Sequence, residues 1–460
     1  MAMGVLLIAV ASSCSSNDSS SDTDPNGGGD GDADGDTDSD TDGDTDSDTG
    51  PDFTSAGCPY VESYDGLVSC YVDGNGGNNS NDGLSESTPV QTQDAIPTGC
   101  QVVRYKRGSV FAEPVQMGGM MGGGAKAFTN YGDPNEPLPA FITEQSVVSS
   151  FQGGVIIDGL HLEGSTSQDT SSLGAGGTCV MLGGDSKLIN SDITDCGIGI
   201  MIMGENTLVQ CNKVHDLSEM VADSTDTNVY ANAVGGAEGI FINGSYNEVA
   251  YNQFINCKGL ADWQGQGGYD GGATEVAVPQ NGEVTGLKIH HNFSYNSCGF
   301  FEVSGIGGTF SNSEFYNNVS IDSSWAMLLQ VNETTLENIR WENNTFVHHA
   351  DAYTPSIAMI YQAELTPGTV FLYNNLWIFD GAPTFNSTLD PAFEESNNLI
   401  VTADPGVVNI EGFTAQDFDL VAGSQAVDQG LSSVTRPLDF LNRNAPSGAG
   451  MDIGAFELQQ

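Results

Sequence analysis

An all-β fold built by repetition is what this sequence of 460 residues predicts, from its composition, a recurring strand-and-asparagine unit and the spacing of that unit. Fifty-nine glycines, many Asn and Ser, and only 11 Lys and Arg suit short strands and tight turns better than long helices. The unit reads SKLINSDITDC, NTLVQCNKVHD, NEVAYNQFINC, LKIHHNFSYNSC, SEFYNNVSID, IRWENNTFVHH and VFLYNNLWIFD. Its asparagines are Asn190, Asn212, Asn252, Asn292, Asn318, Asn344 and Asn375, spaced 22, 40, 40, 26, 26 and 31 residues apart.

Side-chain alternation supports the repeat. Three residues before the last six asparagines stand Val209, Val249, Ile289, Phe315, Trp341 and Leu372, an apolar and therefore inward-facing column. One residue earlier stand Leu208, Glu248, Lys288, Glu314, Arg340 and Phe371; the four charged members alternate in sign and pair between neighbouring repeats. The first unit breaks the pattern, with Lys187 at the inward position. The asparagine is expected to enter the left-handed region at a bend and to stack its amide in a ladder about 4.8 Å apart.

From the N-terminus, VLLIAVA, Ala11-Ser12-Ser13 and Cys14 resemble a bacterial lipoprotein signal, which would make Cys14 the lipidated residue of an exported protein. No segment approaches the roughly 18 apolar residues of a membrane span, so contact with a membrane is expected only through that anchor. Residues 15–56 are an Asp/Ser/Gly/Thr linker with little to bury, expected to be a disordered spacer. Thirteen of the 61 acidic residues lie within residues 1–50, and the net charge of −50 repels phosphates, which excludes nucleic acid as a partner. Eight cysteines follow Cys14, at 58, 70, 100, 179, 196, 211, 257 and 298; an even number in an oxidising compartment predicts disulfides, with the pairing open.

Residues 57–460 form one domain. Near its start, Tyr71-Val72, Asn81-Asp82-Gly83, Thr88-Pro89 and Lys106-Arg107-Gly108 resemble the N-terminal cap of secreted right-handed parallel β-helix proteins, a group that includes polysaccharide lyases and related carbohydrate-active enzymes. Residues 417–430 and 436–457 resemble the C-terminal cap of the same group. The resemblance covers about residues 69–457. It implies a single-stranded right-handed parallel β-helix solenoid with both caps and coils of about 22–26 residues. The two spacings of 40 are then single coils carrying insertions, at 216–237 and 258–283.

Chemistry is expected at those insertions. The strands AEGIFING, TEVAVPQN and FEVSGIGG place Glu238, Glu275 and Glu302 at 14, 17 and 16 residues before their asparagines, so the count stacks them on three consecutive coils. Carboxylates about 5 Å apart repel by roughly 3 kcal/mol at an effective dielectric near 20, and calcium is the cation expected to bridge them. Their other use is as a general acid and base. The insertions add Lys258, Trp263, Tyr269 and Asp270, and Asp216 and Tyr230. Trp263, Tyr269 and Tyr230 are suited to stack on sugar rings, and His290 joins them as a substrate contact, with His291 on the opposite face.

Two reactions fit. A calcium-assisted lyase would use Lys258 as base and eliminate across a uronate-containing polysaccharide. A glycoside hydrolase would instead use two carboxylates from Asp270, Glu275 and Glu302. A third expectation is a non-catalytic glycan-binding surface protein. In each case the chain is read as a monomer, exported as an outer-membrane or cell-surface lipoprotein or otherwise secreted.

Overall fold

The computed structural model describes residues 58–117, 126–143, 146–150, 153–164, 178–217, 237–260, 269–349, 356–361, 368–379 and 393–460. The signal, Cys14, the linker, Trp263 and Tyr230 lie outside them.

Each coil contributes up to three strands, as in Ile198–Ile202, Leu208–Gln210 and Lys213–His215, and each strand pairs in parallel with its counterpart one coil away. The first and second strands join around a corner into a 20-stranded sheet, and the third strands form an 11-stranded sheet. Together they make a right-handed parallel β-helix. Its three long faces are called first, second and third below, after the strand that forms each.

The inward column is the one predicted: Val209, Val249, Ile289, Phe315, Trp341 and Leu372 are at most 2% exposed in one continuous core. Aromatic rings stack along it, with Phe315 and Trp341 4.6 Å apart at 8°. The outward column also keeps its register, Leu208–Glu248–Lys288–Glu314–Arg340–Phe371. The asparagine ladder follows between the second and third strands. The Asn252 amide donates to Val209 O at 2.9 Å and to Asn292 Oδ1 at 3.0 Å, and its own backbone N–H donates to Asn292 Oδ1 at 3.0 Å. From Asn212 to Asn375 the ladder side chains are at most 1% exposed, so every buried amide group has its partner.

Two expectations change here. The left-handed residue is the one before the ladder asparagine: Cys211, Tyr251, His291, Asn317, Asn343 and Asn374 have φ between 52° and 63°. In the first unit it is Asn190 that turns the corner (φ 52°), and Ser191 takes the ladder place: its Oγ accepts the Leu160 N–H at 3.3 Å, and its own N–H donates to Asn212 Oδ1 at 2.9 Å. Lys187 therefore faces outward, opposite Leu208.

Both ends of the chain turn back along the stack. Residues 73–97 cover the first coil, where Val90 pairs with Val72 and is 1% exposed. The preceding segment lies on the second face: Cys58 is bonded to Cys211, Tyr64 donates to Asp158 at 2.9 Å, and Lys187 bonds Tyr60 and Glu62. The C-terminal segment does more than close the far end. Phe418, Leu420, Phe440, Ile453 and Phe456 pack on the outside of the third face, against Phe293, Val319, Val347, Leu376 and Ile378. Arg436 continues over the second face, above the Tyr316 ring at 4.0 Å and paired with Glu314 and Glu342. Two further disulfides join Cys70 to Cys100 and Cys179 to Cys196. Cys257 is a buried free thiol, so the even count of cysteines does not translate into complete pairing.

Candidate functional site

The second and third faces are covered in part by the chain ends, and the longest connections in the sequence lead into strands of the first face. Gly164 to Thr178, Leu217 to Ala237, Leu260 to Tyr269 and His349 to Ser356 all span the same corner, between a third strand and the next first strand. The first face begins where those connections return.

Its outward column reads Met181–Met201–Phe241–Glu275–Glu302–Leu328 from coil to coil. Met181, Met201, Phe241 and Leu328 are buried, at 7%, 8%, 2% and 0% exposed, whereas Glu275 and Glu302 between them are half-buried. Two carboxylates thus interrupt an apolar column on adjacent coils, where neighbouring strands run about 4.8 Å apart. Ser304, two residues beyond Glu302 and so on the same face, donates its hydroxyl to Glu275 Oε1 at 2.6 Å.

Glu238 does not join this pair. It lies in register with Ile198 and Gly272, and the residue opposite Glu275 is Phe241. Counting back from the asparagine crosses connections of unequal length: Ile242 precedes Glu248 by six residues, while its partner Val276 precedes Lys288 by twelve. The expected three-glutamate calcium column is therefore a pair, Glu275 and Glu302, with Glu238 4% exposed further down the strand. Among the described residues no three His, Cys, Asp or Glu side chains converge as a metal site.

Lys258 stands at the corner beside this face, half-buried, with Nζ donating to Asn296 Oδ1 at 2.7 Å. Tyr269 and Asp270 begin the strand that carries Glu275 and pair antiparallel with Leu260 and Gly259; their side chains lie outside the description.

His290 is corrected as a substrate contact. It is 7% exposed, stacked on Tyr316 at 4.6 Å, and lies with His291 beside the C-terminal segment, whose Asp439 carbonyl oxygen is 3.0 Å from His291 Nε2. The two rings also do not point apart. The left-handed backbone of His291 (φ 54°) turns its side chain back, and the two Nδ1 atoms meet at 2.8 Å. Burial, then the neighbouring His290, holds His291 well below the usual histidine range. His290 Nε2 is 3.4 Å from Glu248, the partner that the sequence assigns to Lys288.

A cluster that the sequence reading passes over lies on the third face. Asp192 sits between His161 Nδ1, at 2.8 Å, and His215 Nε2, at 3.0 Å. Burial alone would lower His215, but its bonds to Asp192 and Asp216 raise it to about 9. The hydrogen bond to Asp192 raises His161. Burial works against the charge of Asp192, yet the two imidazoles hold its carboxyl far below the usual range. The signal was present in HLE, DIT and KVH, each a third strand, but it emerges only once those strands are aligned coil on coil.

No family model matches the sequence, and no curated protein does. Several solved structures are similar in fold. Pectate lyase Pel9A is 14% identical, with 85% of this chain and 96% of that one covered and a TM-score of 0.43. XylC in complex with xylose is 9% identical over 85% and 99%, with a TM-score of 0.46. The GH136 lacto-N-biosidase from Eubacterium ramulus is 14% identical over 72% and 68%, with a TM-score of 0.38. At these identities the likeness concerns the fold alone.

Proposed function

We propose that the protein cleaves glycosidic bonds of an extracellular polysaccharide, with Glu275 and Glu302 as the working carboxylates. The observation that carries the reading is their placement in register on adjacent coils, half-buried within a buried apolar column. Rungs about 4.8 Å apart suit the roughly 5–5.5 Å carboxyl separation of retaining glycoside hydrolysis. Two carboxyl groups so close favour holding one proton between them, which divides the roles of acid and nucleophile. The Ser304 hydroxyl donates to Glu275 and thereby favours its anion. Glu275 is accordingly the nucleophile and Glu302 the acid. An uncharged glycan suits a chain of net charge −50 better than a polyanion does.

The second reading is the calcium-assisted lyase, and the position of Lys258 favours it. Its side chain stands at the corner that leads into the first face, where the amine, once it has given up its proton, would serve as base. In that reading Glu275 and Glu302 would help to hold calcium, which would supply positive charge facing the uronate carboxylate.

One experiment separates these readings. The protein is incubated with a panel of neutral and uronate-containing glycans while reducing ends and ultraviolet absorbance are followed. New reducing ends without absorbance are expected. Absorbance from a conjugated double bond would transfer the assignment to the lyase. Turnover undiminished in Glu275→Gln and Glu302→Gln would remove the pair from the chemistry, and no turnover by the parent on any glycan would leave a binding protein.

A further inference from the structure

A polar chain that ends on Lys258 crosses five successive coils at the edge of the third face. His161 Nε2 lies 3.3 Å from Glu163 and its Nδ1 2.8 Å from Asp192; His215 Nε2 lies 3.0 Å from the other oxygen of Asp192 and its Nδ1 2.7 Å from Asp216. A carboxylate oxygen at each ring nitrogen can only accept, so this arrangement favours a proton on all four nitrogens and the imidazolium form of both rings. The chain then turns onto the corner. The Asn256 amide donates to Asp216 Oδ1 at 2.6 Å, the Asn296 amide donates to Asn256 Oδ1 at 2.7 Å, and Lys258 Nζ donates to Asn296 Oδ1 at 2.7 Å. An ammonium can only donate and a carboxylate only accept, so each amide between them has one permitted orientation.

We propose that Glu163, His161, Asp192, His215, Asp216, Asn256 and Asn296 form a positioning network for Lys258, holding its ammonium at the corner beside the first face. Its bearing on turnover rests on the lyase reading, in which Lys258 is the base; the network itself does not. The coupling runs through Asp216, whose side chain is 51% exposed and so open to competition from water. The proton on His215 Nδ1 fixes one oxygen of Asp216 and leaves the other facing Asn256. Loss of that proton frees the carboxylate to turn outward, and the two amides lose their fixed end. The charged groups facing His215 are Asp192 on the neighbouring coil, Asp195 at the corner, and Asp216 and Lys213 on its own coil; Ile255 adjoins it from the next coil, where Gln253 lies opposite Lys213.

The test is the rate at which an amine-reactive ester acylates Lys258 in the full chain at neutral pH, read from the mass of the peptide that carries it. Asn256→Gly removes the amide without backbone strain, since φ there is 54°. Asp192→Asn removes the charge that holds both imidazoliums. Each is expected to speed acylation by about tenfold, the protection of a charge-assisted hydrogen bond. Asp192→Glu restores the slower rate. Asn338→Gly, which removes an amide bond at a different corner, leaves it unchanged. A Lys258 rate in Asp192→Asn equal to that of the parent, with circular dichroism intact, overturns the network. Because no substrate enters this measurement, failure of the glycan assays would sink the role of Lys258 as base without touching this result.

Discussion

Glu275 and Glu302 stand in register as two carboxyl groups on adjacent coils. Like charges about 5 Å apart repel by roughly 3 kcal/mol at an effective dielectric of 20, less where water screens them. If they are the acid and nucleophile, Glu302→Gln is expected to lower kcat by about 10³-fold with the melting temperature held or raised. Glu238→Gln, out of register with the pair, is expected to spare kcat. Calcium checks the other use: it should raise the melting temperature of the parent more than that of Glu275→Gln, and equal shifts would remove the pair as a cation site. His215 makes a separate, pH-dependent contribution. Its folded value, about 9, exceeds the ordinary 6.5, so its stabilisation is complete below pH 6.5 and is lost as pH rises through 9. Asp192 has the opposite sign, with stabilisation present above its ordinary value near 4 and lost as pH falls well below it. The destabilisation of His215→Gln, about 2 kcal/mol at pH 6, should shrink in thermal melts above pH 9. A difference constant across that range would mean that the ring is not an imidazolium.

At the scale of the coil, the asparagine ladder is what sets the corner. Asn292 satisfies Val249 O and the N–H of Asn252 on one neighbour and bonds Asn318 on the other, all at full burial. Asn292→Ala leaves those groups unpaired and is expected to cost about 3–5 kcal/mol in denaturant melts, whereas Asn398→Ala, at the partly exposed end of the ladder, should cost about 1 kcal/mol. This element was legible because its signal is local: an apolar residue three places before each of the last six asparagines is enough to fix which side is in. The bend residue was not, because Cys211, Tyr251 and His291 adopt the left-handed backbone without the side chains that favour it. The coil's closure and the amide beside them impose it. Glu238 was misplaced for a related reason, since backbone pairing and not distance along the chain sets register, and the intervening loops differ in length. The His161–Asp192–His215 ladder was hidden by the same dependence. Its members lie 31 and 23 residues apart and meet only when three coils are stacked.

The whole molecule assigns its faces by how it uses its ends. A stack of coils is stabilised by nearest neighbours, so a segment that lies across several coils couples parts that would otherwise open separately. The N-terminal segment does this through Cys58–Cys211, which closes a loop of 153 residues, and through Tyr64 and Lys187. The C-terminal segment does it by placing Phe440 and Phe456 on a row that runs from Phe293 to Ile378. With these flanks occupied, the first face is the one whose strands follow the long connections and on which Glu275 and Glu302 are half-buried. Phe456→Ala tests the division. It should cost about 3–5 kcal/mol, the usual range for a buried aromatic truncated in a core, but the loss should stay regional. Hydrogen exchange is expected to quicken in residues 404–460 and in the third strands Val319–Ile321 and Leu376–Phe379. Strands Ser69–Val72 and Val102–Lys106, at the other end beyond many intervening coils, should keep their protection. If those strands lose protection equally, the stack unfolds as one unit and the C-terminal segment is a clamp on the whole molecule, not a cover for one face of it.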